Sequence, residues 1–337
     1  MTASGAGSPT AEQEATRVRS ARNASRVPDF FVVGHEKCGT TALYRILKGH
    51  PEIFLPERKE PRFFADDRGH LPATREQHAR ITLDDYLSLF AAAGADQRAG
   101  DASPQYIRTP TAASEIAALA PHARIVAIVR EPVAFVRSYH LACLRAGIED
   151  QRDLSKALAL EDERRRGHRI PRDCAAPMRL LYSDHVRYVE QLRRYDEALS
   201  QEQVLTLIYD DFRRDNEACA REVLRFLGVD QDAPLVLLDS HGQARKAVRS
   251  TRLSSFARAV KRARRGADSS SKLLRVLDAA VPARLDAVAR RVLYVPTPPL
   301  DERLEAELRR RFKPHVVALS ERLDRDLVAL WGYDRIS

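Results

Sequence analysis

Residues 30–47, FFVVGHEKCGTTALYRIL, put a lysine, two threonines and two glycines directly after an apolar run. The pattern reads as a buried strand, a tight loop bounded by Gly34 and Gly39, and a helix opening at Thr40-Thr41. Such a layout suits a phosphate. Glycines let the backbone approach closely, successive N–H groups converge, and the helix N-terminus adds partial positive charge. Lys37 brings a full charge into the loop, and Thr40 and Thr41 bring hydroxyl donors. The competing reading is an ordinary strand–turn–helix crossover with incidental polar residues.

Order within the loop narrows the chemistry. Gly34 and Gly39 keep the spacing of the triphosphate-binding loop G-x-x-x-x-G-K-[ST]. Here, however, Lys37 precedes Gly39 and Thr40 occupies the usual lysine position. The anion cradle is kept while the grip on a metal triphosphate is altered. A second anion-binding pair stands at Arg130, where the apolar run RIVAIV stops, and at Ser138, eight residues on. A guanidinium there offers a fork for phosphate, and a hydroxyl offers one more donor. Taken alone, the pair reads equally as an arginine at a sheet edge and a serine on a helix flank.

Carboxylates that could move a proton follow two other segments: Asp101 in GDASPQYI and Glu60 in KEPRFF, with Glu36 and His35 inside the first loop as further candidates. A turn carboxylate bonding local N–H groups is the plainer alternative for Asp101.

The elements that must position these residues are short apolar strands alternating with helices. Strands are expected at Phe30–Gly34, around His50–Phe54, at the start of Gly100–Ile107, at Arg124–Val129 and at Val204–Ile208. Helices are expected from Thr40, over Thr82–Ala93, Ala112–Ala120, Val133 to about Ala146, Tyr182–Ala198 and Asn216–Leu227, and in a final stretch through Trp331 after a proline-marked break at Pro296–Pro299. Residues Gln151–Pro177 are charge-rich with little apolar periodicity, and suggest a flexible or substrate-facing insertion. The alternation predicts an α/β fold of three layers, P-loop-like, with a central and mainly parallel sheet flanked by helices. Ligands of such sheets bind beyond the carboxyl ends of the strands. The loops at Gly34–Thr41, Gly100–Tyr106 and Arg130–Ser138 are therefore expected to converge.

Bulk properties set the limits. The chain has 337 residues, 44% of them apolar, and a net charge of +9. Residues 1–27 are small, polar and charged without the apolar core of a signal peptide, and read as a disordered leader. Residues 28–337 read as one domain with a variable insertion near 150–178 and a basic helical segment near 245–290. No apolar run approaches the roughly 20 residues that cross a bilayer. Asn23-Ala24-Ser25 matches a glycosylation sequon, but with no export signal a cytoplasmic location is the default expectation. Cys38, Cys143, Cys174 and Cys219 are scattered, which suggests neither a zinc site nor a disulfide framework. The positive charge fits an anionic small molecule or nucleic acid. The block Arg245–Arg265 has no acid and only Phe256 as an aromatic, so a stacking platform for bases is not evident and no specific nucleic acid is expected.

The two anion signatures together resemble those of sulfotransferases that use 3′-phosphoadenylyl sulfate (PAPS). In that family a K-x-G-T-T strand–loop–helix holds the 5′-phosphosulfate, and a strand ending in arginine with a serine eight residues later holds the 3′-phosphate. The resemblance extends from about Val27 to Trp331. GDASPQYI is similar to the family's G-E-x-[ST]-P-x-Y, KEPRFF to K-E-x-H-F-F, YDDF at Tyr209–Phe212 to Y-E-D-[LF], and HGQARKAVRSTRL to the loop that closes over the nucleotide. It implies that Lys37, Cys38, Gly39, Thr40, Thr41, Arg130, Ser138, Lys246 and Arg249 bind the cofactor. It further implies in-line transfer of the sulfuryl group to an acceptor hydroxyl or amine of a small molecule or glycan, with adenosine 3′,5′-bisphosphate leaving. Lys37 would meet the charge on the leaving oxygen, and Asp101, or second Glu60, would take the proton. The scheme needs no metal. Arg62 stands where the family often carries a histidine, and Asp101 where it carries the longer glutamate. The overall pattern is that of bacterial and carbohydrate-type members. Two rivals remain: a kinase or nucleotide hydrolase using magnesium and ATP, with Asp210-Asp211 as metal-holding acids at a strand end, and a nucleic-acid binder resting on charge alone.

Overall fold

The computed structural model describes residues 26–65, 81–237, 246–248, 294–296 and 299–336. Its contacts cluster into two compact units. The described parts of the first are residues 26–65, 81–130 and 188–237; those of the second are residues 131–187, 246–248, 294–296 and 299–336.

The first unit is built on five parallel strands: β1 (Phe30–Gly34), β2 (Ile53–Phe54), β3 (Arg98–Asp101), β4 (Arg124–Val129) and β5 (Val204–Ile208), in the order β2-β3-β1-β4-β5. Every residue of β1 and all of β4 after Arg124 are buried. A parallel strand covered on both faces needs such an unbroken apolar run. In register, Phe31 lies beside Asp101 on one side and Ile125 on the other, and Gly34 lies beside Ile128. The carboxyl ends of β1, β3, β4 and β5 therefore open at one edge, carrying respectively the loop 35–39, Asp101, Arg130 and Tyr209.

At Gly34 the chain takes φ +135°, and a Cβ there would sit 2.6 Å from the Ile128 carbonyl oxygen, so only glycine lets β1 leave the sheet at that point. The helix Thr40–Lys48 follows, burying Leu43, Tyr44, Ile46 and Leu47. The helix expected over Thr82–Ala93 is shorter, Leu83–Ser88, opened by a capping box between Thr82 and Asp85. Beyond it Ala91 and Ala92 are exposed, leaving Phe90 as the last side chain to bury. Short helices take their stability from such packing. The helices Ala112–Leu119 and Asn216–Leu227 lie where the sequence places them, the latter ended by Gly228 at φ +68°.

The second unit opens with the helix Pro132–Ala146. Glu131 caps it by accepting from the amides of Val133 and Ala134, and Pro132 takes the first helical position, where a missing N–H costs nothing. Within residues 151–177, where the sequence suggests little regular structure, two short helices form, Leu154–Ala159 and Glu161–Arg165. The first is capped by Asp153 and buries Leu154, Ala157 and Leu158, and Arg164 anchors the second. Its guanidinium makes two 2.8 Å bonds to Glu149, both side chains are fully buried, and Tyr182 donates to the same carboxylate. The expected helix Tyr182–Ala198 is divided into a single turn at Asp184–Val186 in this unit and the helix Tyr188–Ala198 in the first.

The last third departs further from a purely helical reading. Strands β6 (Lys246–Val248) and β7 (Tyr294–Pro296) pair antiparallel. The helix Glu302–Arg322 carries Pro314 within it, and a separate turn, Leu327–Leu330, follows. The rest of the basic segment, including Arg249, lies outside the described residues.

Candidate active site

The loop after β1 has the backbone of an anion cradle. Lys37 (φ +82°) and Gly39 (φ +96°) both take left-handed conformations, and the helix that follows has no side-chain cap. Alternating hands in successive residues turn N–H groups toward one point. At Gly39 the left-handed backbone favours glycine, and a Cβ would press on the rings of Tyr209 and Phe212 at 3.2 Å. Thr40 is buried and Thr41 exposed. Cys38 is buried, and that burial pushes its thiol up to about 12, so its share in the cradle is its amide and not a thiolate.

Arg130, at the end of β4, holds this loop. Its guanidinium donates to the Lys37 carbonyl at 2.9 Å and lies 4.5 Å over the Tyr209 ring, while its own carbonyl accepts from the Tyr188 hydroxyl. It is 6% exposed. The guanidinium thus braces the loop with one edge and keeps further donors for a ligand. His35, also buried, donates its Nε2 to Gln191 Oε1 at 2.9 Å and lies against the Tyr188 ring, which braces the loop from the helix Tyr188–Ala198.

Asp101 is brought to the same strand edge but is enclosed. It is 0% exposed; Oδ1 accepts from Ser103 Oγ at 2.7 Å, and Oδ2 accepts from the hydroxyls of Tyr86 at 2.9 Å and Tyr106 at 2.7 Å. Burial raises its carboxyl to about 6, against the lowering pull of those three donors. Burial, with the Asp101 charge beside them, pushes both phenols well above their ordinary range, so they stay protonated donors. Tyr86 is fixed by stacking on Phe63 at 4.5 Å and by the edges of Phe64 and Phe90. Ser103 in turn accepts from the backbone N–H of Arg62 at 3.2 Å, which ties Asp101 to the segment after β2.

Glu60 stands on that segment, half-buried. Its side chain is 22% exposed and takes hydrogen bonds from Lys59 (2.5 Å), Arg62 (2.7 Å) and Gln105 (2.9 Å). Burial pushes its carboxyl up, but these donors outweigh it and hold it below the ordinary glutamate value. Glu60 (φ +58°) and Arg62 (φ +60°) are both left-handed. Non-glycine residues hold such conformations only when their surroundings fix them. Glu36, inside the first loop, pairs with Arg108 at 2.9 Å and also accepts from Gln105 at 3.3 Å.

Of the residues expected from sequence, Lys37, Cys38, Gly39, Thr40, Thr41, Arg130, Asp101 and Glu60 all fall in the first unit. Ser138 is half-buried on the helix Pro132–Ala146 and Lys246 lies in β6, both in the second unit. The sequence reading left Gln105, Arg108, Tyr86, Tyr106 and Tyr209 without roles. Tyr106 and Tyr209 had a signal, since they stand at the tyrosine positions of GDASPQYI and YDDF; Gln105 stands in GDASPQYI at a position the pattern leaves open. Asp211, weighed as a metal-holding acid, accepts from Arg214 at 2.8 Å in the helix Tyr209–Arg214. Among the described residues no group of three or more His, Cys, Asp or Glu could hold a metal ion, and no helix is long and apolar enough to cross a membrane.

The arrangement is an anion cradle and a row of carboxylates at one sheet edge, which suits the transfer of a charged group to a hydroxyl. The model of the sulfotransferase family matches residues 28–233. The crystal structure of a sulfotransferase from Alicyclobacillus acidocaldarius is 25% identical, covering 91% of this chain and 99% of that one with a TM-score of 0.64. Carbohydrate sulfotransferase 15 of Homo sapiens and of Mus musculus are each 38% identical over 65 residues, 19% of this chain and 12% of theirs. The chain thus spans only a small part of those relatives' length. The family match runs from just before β1 to beyond the helix Asn216–Leu227, across the whole five-stranded sheet, and the chain belongs to the sulfotransferase family.

Proposed function

We propose that the protein moves the sulfuryl group of PAPS to an acceptor hydroxyl of a carbohydrate or glycosylated metabolite, releasing adenosine 3′,5′-bisphosphate. The observation that carries the reading is the hydrogen-bonded path from Glu36, next to Lys37 in the loop, through Gln105 to Glu60. It links the loop to a partly exposed carboxylate held below its ordinary value, within a single unit, and so supports the reading. The residues fit the donor: the uncapped helix at Thr40 and the left-handed Lys37 and Gly39 suit its 5′-phosphosulfate, and Arg130, one edge engaged with Lys37, suits its 3′-phosphate. The likeness to carbohydrate sulfotransferases over 65 residues supports a sugar acceptor.

Roles follow from exposure. Glu60 is the proton acceptor and Asp101 a positioning residue, because a carboxylate with no exposure and three hydroxyl donors cannot reach an incoming substrate. A lowered carboxyl is a weak base, yet it suffices if transfer is loose, as in phosphoryl chemistry, where most of the work is positioning and charge stabilisation. Lys37, with the Gly39–Thr41 amides, meets the charge on the leaving oxygen; one such donor is worth about 10²–10³ in rate.

The test is thermal stability with adenosine 3′,5′-bisphosphate beside ATP plus magnesium. A ligand at about 100 times its Kd adds about 2.7 kcal/mol of apparent stability. Stabilisation by the bisphosphate without metal is expected. Stabilisation by magnesium-ATP alone would replace this reading with a kinase, and Asp210-Asp211 would become the residues to change.

A further inference from the structure

Gln105 does not react in any scheme for this site, yet it sits at its centre. It lies on the turn Pro104–Ile107, is 0% exposed, and divides its amide between two carboxylates: Nε2 donates to Glu60 Oε2 at 2.9 Å and to Glu36 Oε1 at 3.3 Å. Its other polar atom, Oε1, is buried with no hydrogen-bond partner. Leaving such an atom unpaired is unfavourable, and an apolar side chain of the same size would avoid it. Rotating the amide would not help, because Oε1 would then face two carboxylates. The orientation is therefore set by the two acids. Arg108, three residues on, reaches the same Glu36. Side chains three apart eclipse in a turn of this tightness, so the Pro104–Ile107 turn and its capping residue Arg108 present an amide and a guanidinium to one place.

We propose that Gln105 is a positioning residue of the transfer, locking Glu60 to the sulfuryl-holding loop through Glu36 so that proton acceptor and anion cradle keep one spacing. The assignment rests on the roles given to Glu60 and the loop above. Glu60 and Arg62 hold left-handed conformations and need anchoring from outside their own segment. Ser103 anchors the Arg62 backbone, and Gln105 anchors the Glu60 carboxylate. The charged groups around Glu60 are Lys59 and Arg62 on its own segment, Glu36 across the shared amide, and Asp101 at the end of β3.

The experiment titrates Glu60 directly in the full chain, with glutamate labelled by ¹³C at Cδ and the Glu60 resonance identified by its loss in Glu60→Gln. Gln105→Met keeps the side-chain volume without the donor; Gln105→Asn keeps the amide but draws it back by a methylene. The Glu60 midpoint is expected to move upward in the methionine variant and part-way in the asparagine variant, while the Kd for adenosine 3′,5′-bisphosphate is unchanged. In the unaltered protein the Gln105 side-chain ¹⁵N resonance must shift at the Glu60 midpoint. That measurement decides the matter even if neither variant folds. An unmoved Glu60 midpoint in a folded variant, or a Gln105 amide blind to it, overturns the proposal. Failure of the unaltered protein to bind the bisphosphate overturns the proposed function instead, and leaves the titration to be read by itself.

Discussion

The sharpest consequence of the site concerns Asp101. Its carboxyl is raised to about 6, from an ordinary 3.8, because burial outweighs three hydroxyl donors. A proton is therefore held more tightly in the folded chain than in the unfolded one. The stability this confers is fully present below about 3.8 and is lost as pH rises through about 6. A displacement of about two units, at about 1.4 kcal/mol each, makes the loss on the order of 3 kcal/mol. Asp101→Asn abolishes the titration while leaving one acceptor oxygen for Ser103, Tyr86 and Tyr106. Urea unfolding of both proteins, followed by one probe from pH 4.5 to 8, reads the effect, because groups away from Asp101 titrate alike in the two and the Tyr86 and Tyr106 phenols stay protonated throughout. The unaltered protein should lose stability relative to the variant across this range, with most of the change complete by pH 7. A difference between the two that stays flat with pH would refute the reasoning, since it would mean that Asp101 ionises as easily folded as unfolded. Turnover adds a second check. As a positioning residue Asp101 should cost less when changed to Asn than Glu60 does when changed to Gln, where about 10²–10⁴ is at stake for a proton acceptor. Equal losses, with folding unharmed, would return the base role to Asp101.

Other substitutions probe other parts. Gly39→Ala forces an L-residue into φ +96° against the Tyr209 and Phe212 rings, and should lower stability by about 1–3 kcal/mol, with weaker bisphosphate binding by calorimetry. Arg130→Lys keeps the charge but loses the planar fork between the Lys37 carbonyl and the Tyr209 ring; a charge-assisted bond is worth about 1.5–3 kcal/mol, so bisphosphate affinity should fall about 10- to 100-fold. Arg164→Met strands a buried Glu149 and should destabilise by about 3–5 kcal/mol in thermal melts, while adding Glu149→Leu should restore much of it. A double variant no better than the single one would show that the pair itself, not the stranded charge, carries the stability.

What the chain discloses before folding depends on whether a residue's environment follows from its neighbours in sequence. RIVAIV and FFVVG could hardly be anything but strands buried on both faces, and each ends where a residue proposed for the site stands. Gly34, Lys37 and Gly39 are legible for the same reason: strand, loop and helix are contiguous, so spacing alone sets their geometry. The helices at 154–165 were hidden because charge ordinarily marks solvent. Arg164 breaks that rule through Glu149, fifteen residues earlier, and no local pattern advertises a bidentate pair. The strands β6 and β7 pair residues nearly fifty positions apart, which short-range periodicity cannot see.

The site divides along the same line. Asp101 at a strand end reads as a proton acceptor or as a turn carboxylate; the hydroxyls that enclose it come from Ser103 and Tyr106 nearby, and from Tyr86 on an earlier helix whose apolar spacing concealed a polar tip. Burial, the property that separates a base from a brace, was the one quantity missing. Gln105 is the extreme case. Nothing in PQYI distinguishes a surface glutamine in a turn from one holding two carboxylates, because its partners Glu36 and Glu60 lie 69 and 45 residues away. Residues that touch a ligand tend to stand at strand ends and helix starts, where local grammar exposes them. Those that hold the first kind in place are drawn from anywhere in the chain, and only the folded contacts name them.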